Sequence, residues 1–138
     1  MNLDIPAGKS IFFPIINGEC STIEGNGETE KELKACAKAQ MKCVTVKEAT
    51  IDGRELVGLD RYRVRSDLFD FELPEDHVLN PSLSAGSSHS VAEGYWIMLK
   101  PLSIGKHEIH VHGEAKMPDG STFITDMTYK LNVVPNVK

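Results

Sequence analysis

The sequence predicts a mostly β fold, an antiparallel β-sandwich of jelly-roll or immunoglobulin-like kind with one inserted α-helix, in a single domain over residues 1–138. Two observations predict it. An alternating hairpin pattern fills residues 105–134, and other short strand-like segments outnumber the one amphipathic helical segment. Because strands dominate, a sandwich is favoured. The chain is long enough to bury a core.

The hairpin is the strongest signal. Ile109 and Val111 alternate with His110 and His112. Successive side chains of a strand point to opposite sides, so the two apolar residues share one face and the two histidines the other. The Pro-Asp-Gly sequence at residues 118–120 closes the turn, since proline fixes φ and glycine accepts a positive φ.

One helix is predicted after residue 28. Thr29 and Glu32 have the spacing of a capping box, in which the threonine oxygen accepts an early backbone N–H. The apolar residues that follow recur at intervals of three and four and form one stripe. They are Leu33, Ala37, Met41 and Val44.

Further strands are predicted on both sides of the helix. Residues 10–17 are apolar on both faces and predict a buried strand, with an edge position or bulge at Pro14. The Asp-Gly pair at residues 52–53 predicts a tight hairpin. Alternation over residues 61–65 and 69–73 predicts two neighbouring strands, with arginines facing acidic residues.

Residues 74–94 show no sustained period and predict a long mobile loop, of a kind that is often functional. Residues 95–102 are strongly apolar and predict a central strand. A loop beside that strand suits the lid of a ligand cleft, with His77, His89 and Trp96 as candidate lining residues. An idle surface loop is the alternative.

Composition limits the classes of partner. A formal net charge of −5 argues against a nucleic-acid partner, which usually requires a basic surface. No apolar run approaches the roughly 20 residues of a membrane helix, so membrane insertion is not expected. The first residues lack the basic and apolar regions of a signal peptide, which fits either a cytoplasmic protein or a mature exported domain.

Three cysteines are present, and no CxxC motif occurs, which argues against a zinc ribbon or a thioredoxin-type site. Cys36 and Cys43 are seven residues apart on the predicted helix, so their Cα atoms are about 10 Å apart, beyond disulfide reach. Any bridge must therefore use Cys20. The alternative is three small buried apolar side chains.

The best candidate for chemistry is the histidine face of the hairpin. The predicted register places His112 opposite Asp126 and His110 opposite Thr128, and imidazole with carboxylate suits zinc, copper or iron. Glu108 and Lys130 fall on the same face, which is typical of a solvated sheet surface. No motif for nucleophilic catalysis or for a cofactor occurs, so no catalytic residue and no cofactor are predicted.

Several short phrases resemble a family of uncharacterised small secreted proteins of bacteria and archaea. They are residues 5–9, 14–20, 32–38, 51–53, 62–64, 99–102, 105–107 and 126–129. The resemblance implies an extracellular, periplasmic or cell-surface protein whose signal peptide is absent here, although a cytoplasmic location stays open. It also implies a disulfide between Cys20 and Cys36, with Cys43 outside the matching phrases.

The function expected from these observations is non-catalytic binding of a ligand, glycan or protein by an exported module. A metal-dependent enzyme that uses His110, His112 and Asp126 is the first alternative. A structural protein of the cell surface is the second.

Overall fold

The computed structural model describes residues 1–136, which form nine β-strands, one α-helix and one short 3₁₀-helix, at Leu59–Tyr62. The strands form two sheets, so the predicted mostly β fold, a β-sandwich with one helix, is confirmed. The elements are β1 (Asn2–Pro6), β2 (Ile11–Ser21), α1 (Glu30–Lys42), β3 (Val44–Ile51), β4 (Arg54–Glu55), β5 (Arg63–Arg65), β6 (Phe69–Leu73), β7 (Gly86–Leu99), β8 (Gly105–Lys116) and β9 (Thr122–Val134).

The larger sheet has five strands in the order β1-β9-β8-β3-β4. Strands β3, β4, β8 and β9 pair antiparallel, whereas β1 runs parallel to β9. The second sheet has the order β2-β7-β5, and β6 also pairs with β7. The central strand predicted over residues 95–102 is confirmed as part of β7, which lies between β2 and β5 but ends at Leu99.

The chain divides into two compact units. Unit 1 contains Met1–Ile16, Cys43–Arg63 and the chain from Tyr95 onward, and unit 2 contains Asn17–Lys42 and Val64–Gly94. Strands β2 and β7 run through both units, so neither unit is one continuous segment. The single domain expected over residues 1–138 stays a prediction.

Gly113 shows how closely the two sheets approach within unit 1. A Cβ atom at this position would lie 2.8 Å from Cβ of Ile16 and 2.9 Å from Oγ1 of Thr125, too close for any side chain. Thr125 also donates a hydrogen bond from Oγ1 to the carbonyl oxygen of Ile15, at 2.8 Å. The first part of β2 therefore packs directly against the inner face of β8 and β9.

The hairpin that closes at residues 118–120 has the predicted register. His112 lies opposite Asp126, and Glu108 lies opposite Lys130. Ile109 is 1% exposed, so it faces the core as the alternation predicts. The histidines consequently lie on the outer face of the five-stranded sheet.

Helix α1 covers the core of unit 2. Its Leu33 and Ala37 are fully buried together with Cys20 and Val91 of the sheet. The N-terminus is capped as predicted, because the Glu32 backbone N–H donates to Oγ1 of Thr29 at 3.2 Å. The predicted stripe is confirmed at Leu33, Ala37 and Met41, but Val44 already belongs to strand β3.

The long loop predicted for residues 74–94 is wrong in its second half, because β7 begins at Gly86. Ser88 and Ser90 occupy the inward positions there, while the alternate residues are exposed. The hydroxyl of Ser88 accepts from the Ile23 backbone N–H at 3.1 Å, and that of Ser90 donates to the Cys20 carbonyl oxygen at 3.0 Å. Serines satisfied in this way can be buried, and they hide the strand from a search for apolar periodicity.

The pairing predicted between residues 61–65 and 69–73 is also wrong. Strands β5 and β6 each pair with β7 and not with each other, and the start of the first segment is 3₁₀-helical. Alternation specifies which residues share a face of a strand, but it does not specify the neighbouring strand.

A disulfide joins Cys20 of β2 to Cys36 of α1, with Cα atoms 6.1 Å apart, as the resemblance implied. Cys43 is outside this bridge. None of the helical segments described in residues 1–136 has the length and apolar character that a bilayer crossing requires.

Thiol titration of the denatured protein should detect one reactive group, that of Cys43. The same titration of the Cys43→Ser variant should detect none. Reduction should lower the free energy of unfolding by roughly 3 kcal/mol, because it removes a constraint on the unfolded chain. Denaturant unfolding with and without reductant measures this change. Detection of three thiols under non-reducing conditions would contradict the bridge.

Candidate functional site

The three predicted metal ligands come together on the outer face of β8 and β9. Nε2 of His110 lies 2.9 Å from Oδ1 of Asp126, and Nδ1 of His112 lies 2.7 Å from Oδ2 of the same carboxylate. The two-residue period of β8 places both imidazoles on one side, and the hairpin register brings the carboxylate opposite them. One carboxylate thus joins two histidines.

His112 has a second carboxylate partner. Its Nε2 lies 2.9 Å from Oε2 of Glu114, so both ring nitrogens face carboxylate oxygens. Both must then donate, which is the hydrogen-bonding state of the imidazolium cation. The hydrogen bonds to Glu114 and Asp126 raise the pKa of His112 above its ordinary value. Hydrogen bonds from His110 and His112 lower the pKa of Asp126.

This arrangement is a hydrogen-bonded cluster of histidine and carboxylate side chains on a solvent-facing sheet. The side chain of His110 is 37% exposed and that of Asp126 is 53% exposed. Within residues 1–136, no group of three or more His, Cys, Asp or Glu side chains is arranged to hold a metal ion. A metal would have to displace a carboxylate from a ring nitrogen of His112, because both nitrogens already contact carboxylate oxygens. The metal site stays a prediction.

The ligand cleft predicted at His77, His89 and Trp96 stays a prediction. His77 lies before β7, where its Nε2 is 2.9 Å from the Leu83 carbonyl oxygen. His89 lies on β7 and is hydrogen-bonded to Asp70 of β6. Trp96 belongs to unit 1, whereas the two histidines belong to unit 2. The depression at His89, about 440 Å³, is lined by Asp70, Phe71, Glu72, Ser87, Ser88 and His89.

Trp96 contributes to an aromatic patch, which we define as Phe12, Trp96 and Met98. The rings of Phe12 and Trp96 are stacked, with centroids 4.8 Å apart and planes inclined by 21°. Phe12 is 57% exposed and Met98 is 62% exposed. Alternation along β7 predicts that Trp96 and Met98 share a face, but the contribution of Phe12 depends on β2 being the neighbour of β7.

His107 of β8 joins two other segments of unit 1, those of Asp52 and Ser103. Its Nδ1 lies 2.6 Å from Oδ2 of Asp52, and its Nε2 lies 2.7 Å from the Ser103 carbonyl oxygen. Asp52 also accepts the Glu108 backbone N–H at 2.8 Å, and its φ of 51° is the left-handed conformation of the Asp-Gly turn. A depression of about 550 Å³ lies beside these residues. Asp52 therefore joins the Asp-Gly turn to strand β8 through hydrogen bonds with His107 and Glu108.

The carboxyl pair of Glu19 and Glu24, in unit 2, is absent from the sequence-based candidates. Ser90 Oγ donates to Oε2 of Glu19 at 2.6 Å, and Ser21 Oγ donates to Oε1 of Glu24 at 2.6 Å. Burial, followed by a hydrogen bond with Glu24, raises the pKa of Glu19 to about 7. The sequence offers one weak signal for this pair, which is that Glu19 directly precedes Cys20.

Glu19 should make the protein less stable as the pH rises. Its folded-state pKa of about 7 lies above the ordinary 4.5, so the folded state holds a proton that the unfolded chain releases. Stability from this group is therefore fully present below the ordinary pKa and is lost as the pH rises towards the folded value. Urea unfolding across this range should show a smaller decrease for Glu19→Gln than for the wild type.

The exposed Glu28→Gln is the matched control, and it should keep the wild-type dependence on pH. Equal pH dependence in the wild type and in Glu19→Gln would show that Glu19 titrates normally.

We expect no sub-micromolar binding of zinc or copper at the histidine face, because both ring nitrogens of His112 are engaged with carboxylates. Calorimetric titration of the wild type and of the His110→Ala/His112→Ala double variant measures it. Tight binding in the wild type that disappears in the double variant would contradict this expectation and establish a metal site.

In comparisons with known proteins, no family model, no curated protein and no solved structure matches this chain. The resemblance to small secreted proteins therefore stays a prediction based on the matching phrases. The candidate sites have to be judged by their own geometry.

Proposed function

We propose that the protein is a non-catalytic, exported module that binds a protein partner through the aromatic patch of Phe12, Trp96 and Met98. The observation that carries this proposal is the stacked pair of rings on the outer face of the second sheet, with Met98 exposed on the same side.

Exposed apolar side chains are common when they occur singly, whereas a contiguous patch indicates an interaction surface. Phe12 and Trp96 are in contact across two strands, and the strand period places Met98 on the face of Trp96. Aromatic residues and methionine are enriched in the cores of protein interfaces, and tryptophan is frequent among the residues that dominate binding energy. A glycan would also need polar side chains to orient its hydroxyl groups.

We propose a non-catalytic role because two histidines of unit 1 already use both of their ring nitrogens in contacts with protein groups. Both ring nitrogens of His112 contact carboxylates, and both ring nitrogens of His107 contact protein oxygens. A general base or nucleophile acts on a substrate that is bound beside it in a pocket from which water is excluded. The histidine face lies on an open sheet surface instead.

Export is supported by the disulfide between Cys20 and Cys36, because such bridges persist in oxidising compartments. An extracellular, periplasmic or cell-surface location is therefore part of the proposal. The full-length gene tests it directly, since a signal peptide encoded upstream would establish export.

A metal-dependent enzyme is the second candidate. The specific observation in its favour is that His110, His112 and Asp126, chosen from the sequence alone, do meet in the structure. The titration of zinc and copper described above decides between this candidate and a cluster of surface side chains that only hydrogen-bond to one another.

The sole tryptophan of the chain lies in the patch, so its fluorescence reports on binding there. We expect a partner captured from the exported proteins of the source cells, and then purified, to shift the Trp96 emission to the blue as water is excluded. Phe12→Ser and Met98→Asp should each weaken the titrated affinity by roughly tenfold or more.

Val57→Ser is the matched control, because Val57 is apolar and 75% exposed but lies outside the patch. It should bind like the wild type. Binding that is unaffected by Phe12→Ser and Met98→Asp, or a polysaccharide as the purified ligand, would contradict a protein site at the patch.

A further inference from the structure

Strand β9 has a free edge, and its location follows from the pairing of β1. Strand β1 lies beside residues 130–134 of β9 only, from Asn2 opposite Lys130 to Pro6 opposite Val134. Residues 122–129 pair with β8 on one side. Among the strands described in residues 1–136, none lies beside them on the other side within this sheet.

The hydrogen bonds at the end of β1 show which backbone groups face this edge. The Lys130 N–H donates to the Met1 carbonyl oxygen at 2.8 Å, and the Thr128 carbonyl oxygen accepts from the Met1 ammonium group at 3.2 Å. In an antiparallel strand, alternate residues direct both backbone groups to the same side. The N–H and C=O groups of Ile124 and Asp126 therefore point to the free edge.

This edge lacks the usual protection against pairing. Natural edge strands are commonly shielded by lysine, proline, bulges or short length. Residues 122–129 contain no lysine, arginine, proline or glycine, and their one charged residue, Asp126, is hydrogen-bonded to two histidines. Phe123, Ile124 and Met127 are 50%, 55% and 39% exposed. The edge thus offers both backbone groups and apolar side chains.

We propose that this edge is the interface to a second copy of the same chain, which pairs antiparallel to β9 about a two-fold axis at Thr125. Ile124 of each copy then lies opposite Asp126 of the other, and the two residues exchange backbone hydrogen bonds. Phe123 of each copy lies opposite Met127 of the other. The two five-stranded sheets become one continuous sheet across the axis.

The register follows from charge and from apolar contact. An axis one residue later, at Asp126, would place two carboxylates opposite each other, which disfavours pairing. An axis one residue earlier, at Ile124, would place Phe123 opposite Thr125 and leave Met127 without an apolar partner. The axis at Thr125 joins a phenyl ring to a thioether twice, and such contacts are favourable. Met1 ends the pairing, because it already occupies the edge at Thr128.

A second copy fits this edge because the edge is complementary to itself. An isologous interface requires the same surface on both partners, and the phenylalanine–methionine pair is formed twice by one two-fold operation. The paired stretch of about five residues is short, so we expect a weak, reversible dimer.

Ile124→Pro tests the pairing and leaves the backbone hydrogen bonds between β8 and β9 intact. Ile124 lies opposite Glu114 at a position whose backbone groups point away from β8, so proline removes only the donor at the free edge. Ile124→Lys is the second variant, since an edge lysine opposes pairing while it keeps the backbone N–H. Ile124→Val is the matched control, because it keeps both the N–H and an apolar β-branched side chain.

Sedimentation equilibrium should give the wild type and Ile124→Val an average mass that rises with concentration from 15.2 kDa towards twice that value. Ile124→Pro and Ile124→Lys should remain at 15.2 kDa, with far-UV circular dichroism confirming that they are folded. Met98→Asp should dimerise like the wild type, because the aromatic patch is a different surface.

Amide hydrogen exchange gives an independent readout. The amides of Ile124 and Asp126 in the wild type should become more protected as the concentration rises, while the Lys130 amide, already bonded to Met1, should not change. A wild type that stays monomeric up to roughly 1 mM, a dimer unaffected by both Ile124 variants, or concentration-independent exchange at Ile124 and Asp126 would overturn the proposal.

Discussion

The antiparallel pairing of β8 with β9 is the interaction on which the rest of unit 1 depends. It places Ile109 and Val111 in the core and, by the same alternation, His110 and His112 on the outer face beside Asp126. A shift of the register by one residue would exchange these faces. The inner face also has to admit strand β2 at Gly113, where no side chain fits. Core packing and surface charge are therefore two consequences of one register.

Unit 2 reaches a buried core by different means. Its buried cluster consists of Cys20, Leu33, Ala37 and Val91, and the disulfide between Cys20 and Cys36 joins the helix to the sheet. Buried serines occupy strand positions that larger side chains fill elsewhere, and their hydroxyls are satisfied by nearby backbone and carboxyl groups. The raised pKa of Glu19 is a consequence of the same packing, because a carboxyl group enters a partly buried polar network.

The two proposed interaction surfaces belong to different sheets and use different physics. The aromatic patch presents side chains on a sheet face, and contact there depends on the exclusion of water from rings and a thioether. The free edge of β9 presents backbone groups, which only another extended chain can satisfy in a regular way. The two proposed surfaces have no residue in common, so substitutions can test each of them separately.

The sequence by itself determined the elements with strong local signals. The alternation around Ile109, the turn at residues 118–120 and the capping residue Thr29 specified the hairpin and the helix, because each depends on near neighbours along the chain. It also predicted that Asp126 would face His112, since a tight turn fixes the register of its strands.

Only the tertiary structure decided which strands are neighbours. The stacking of Phe12 on Trp96, the pairing of both β5 and β6 with β7, and the burial of Ser88 and Ser90 join residues that are far apart in sequence. Local alternation carries no information about such partners. The unpaired edge of β9 is decided in the same way, because it depends on which residues of β9 have β1 beside them.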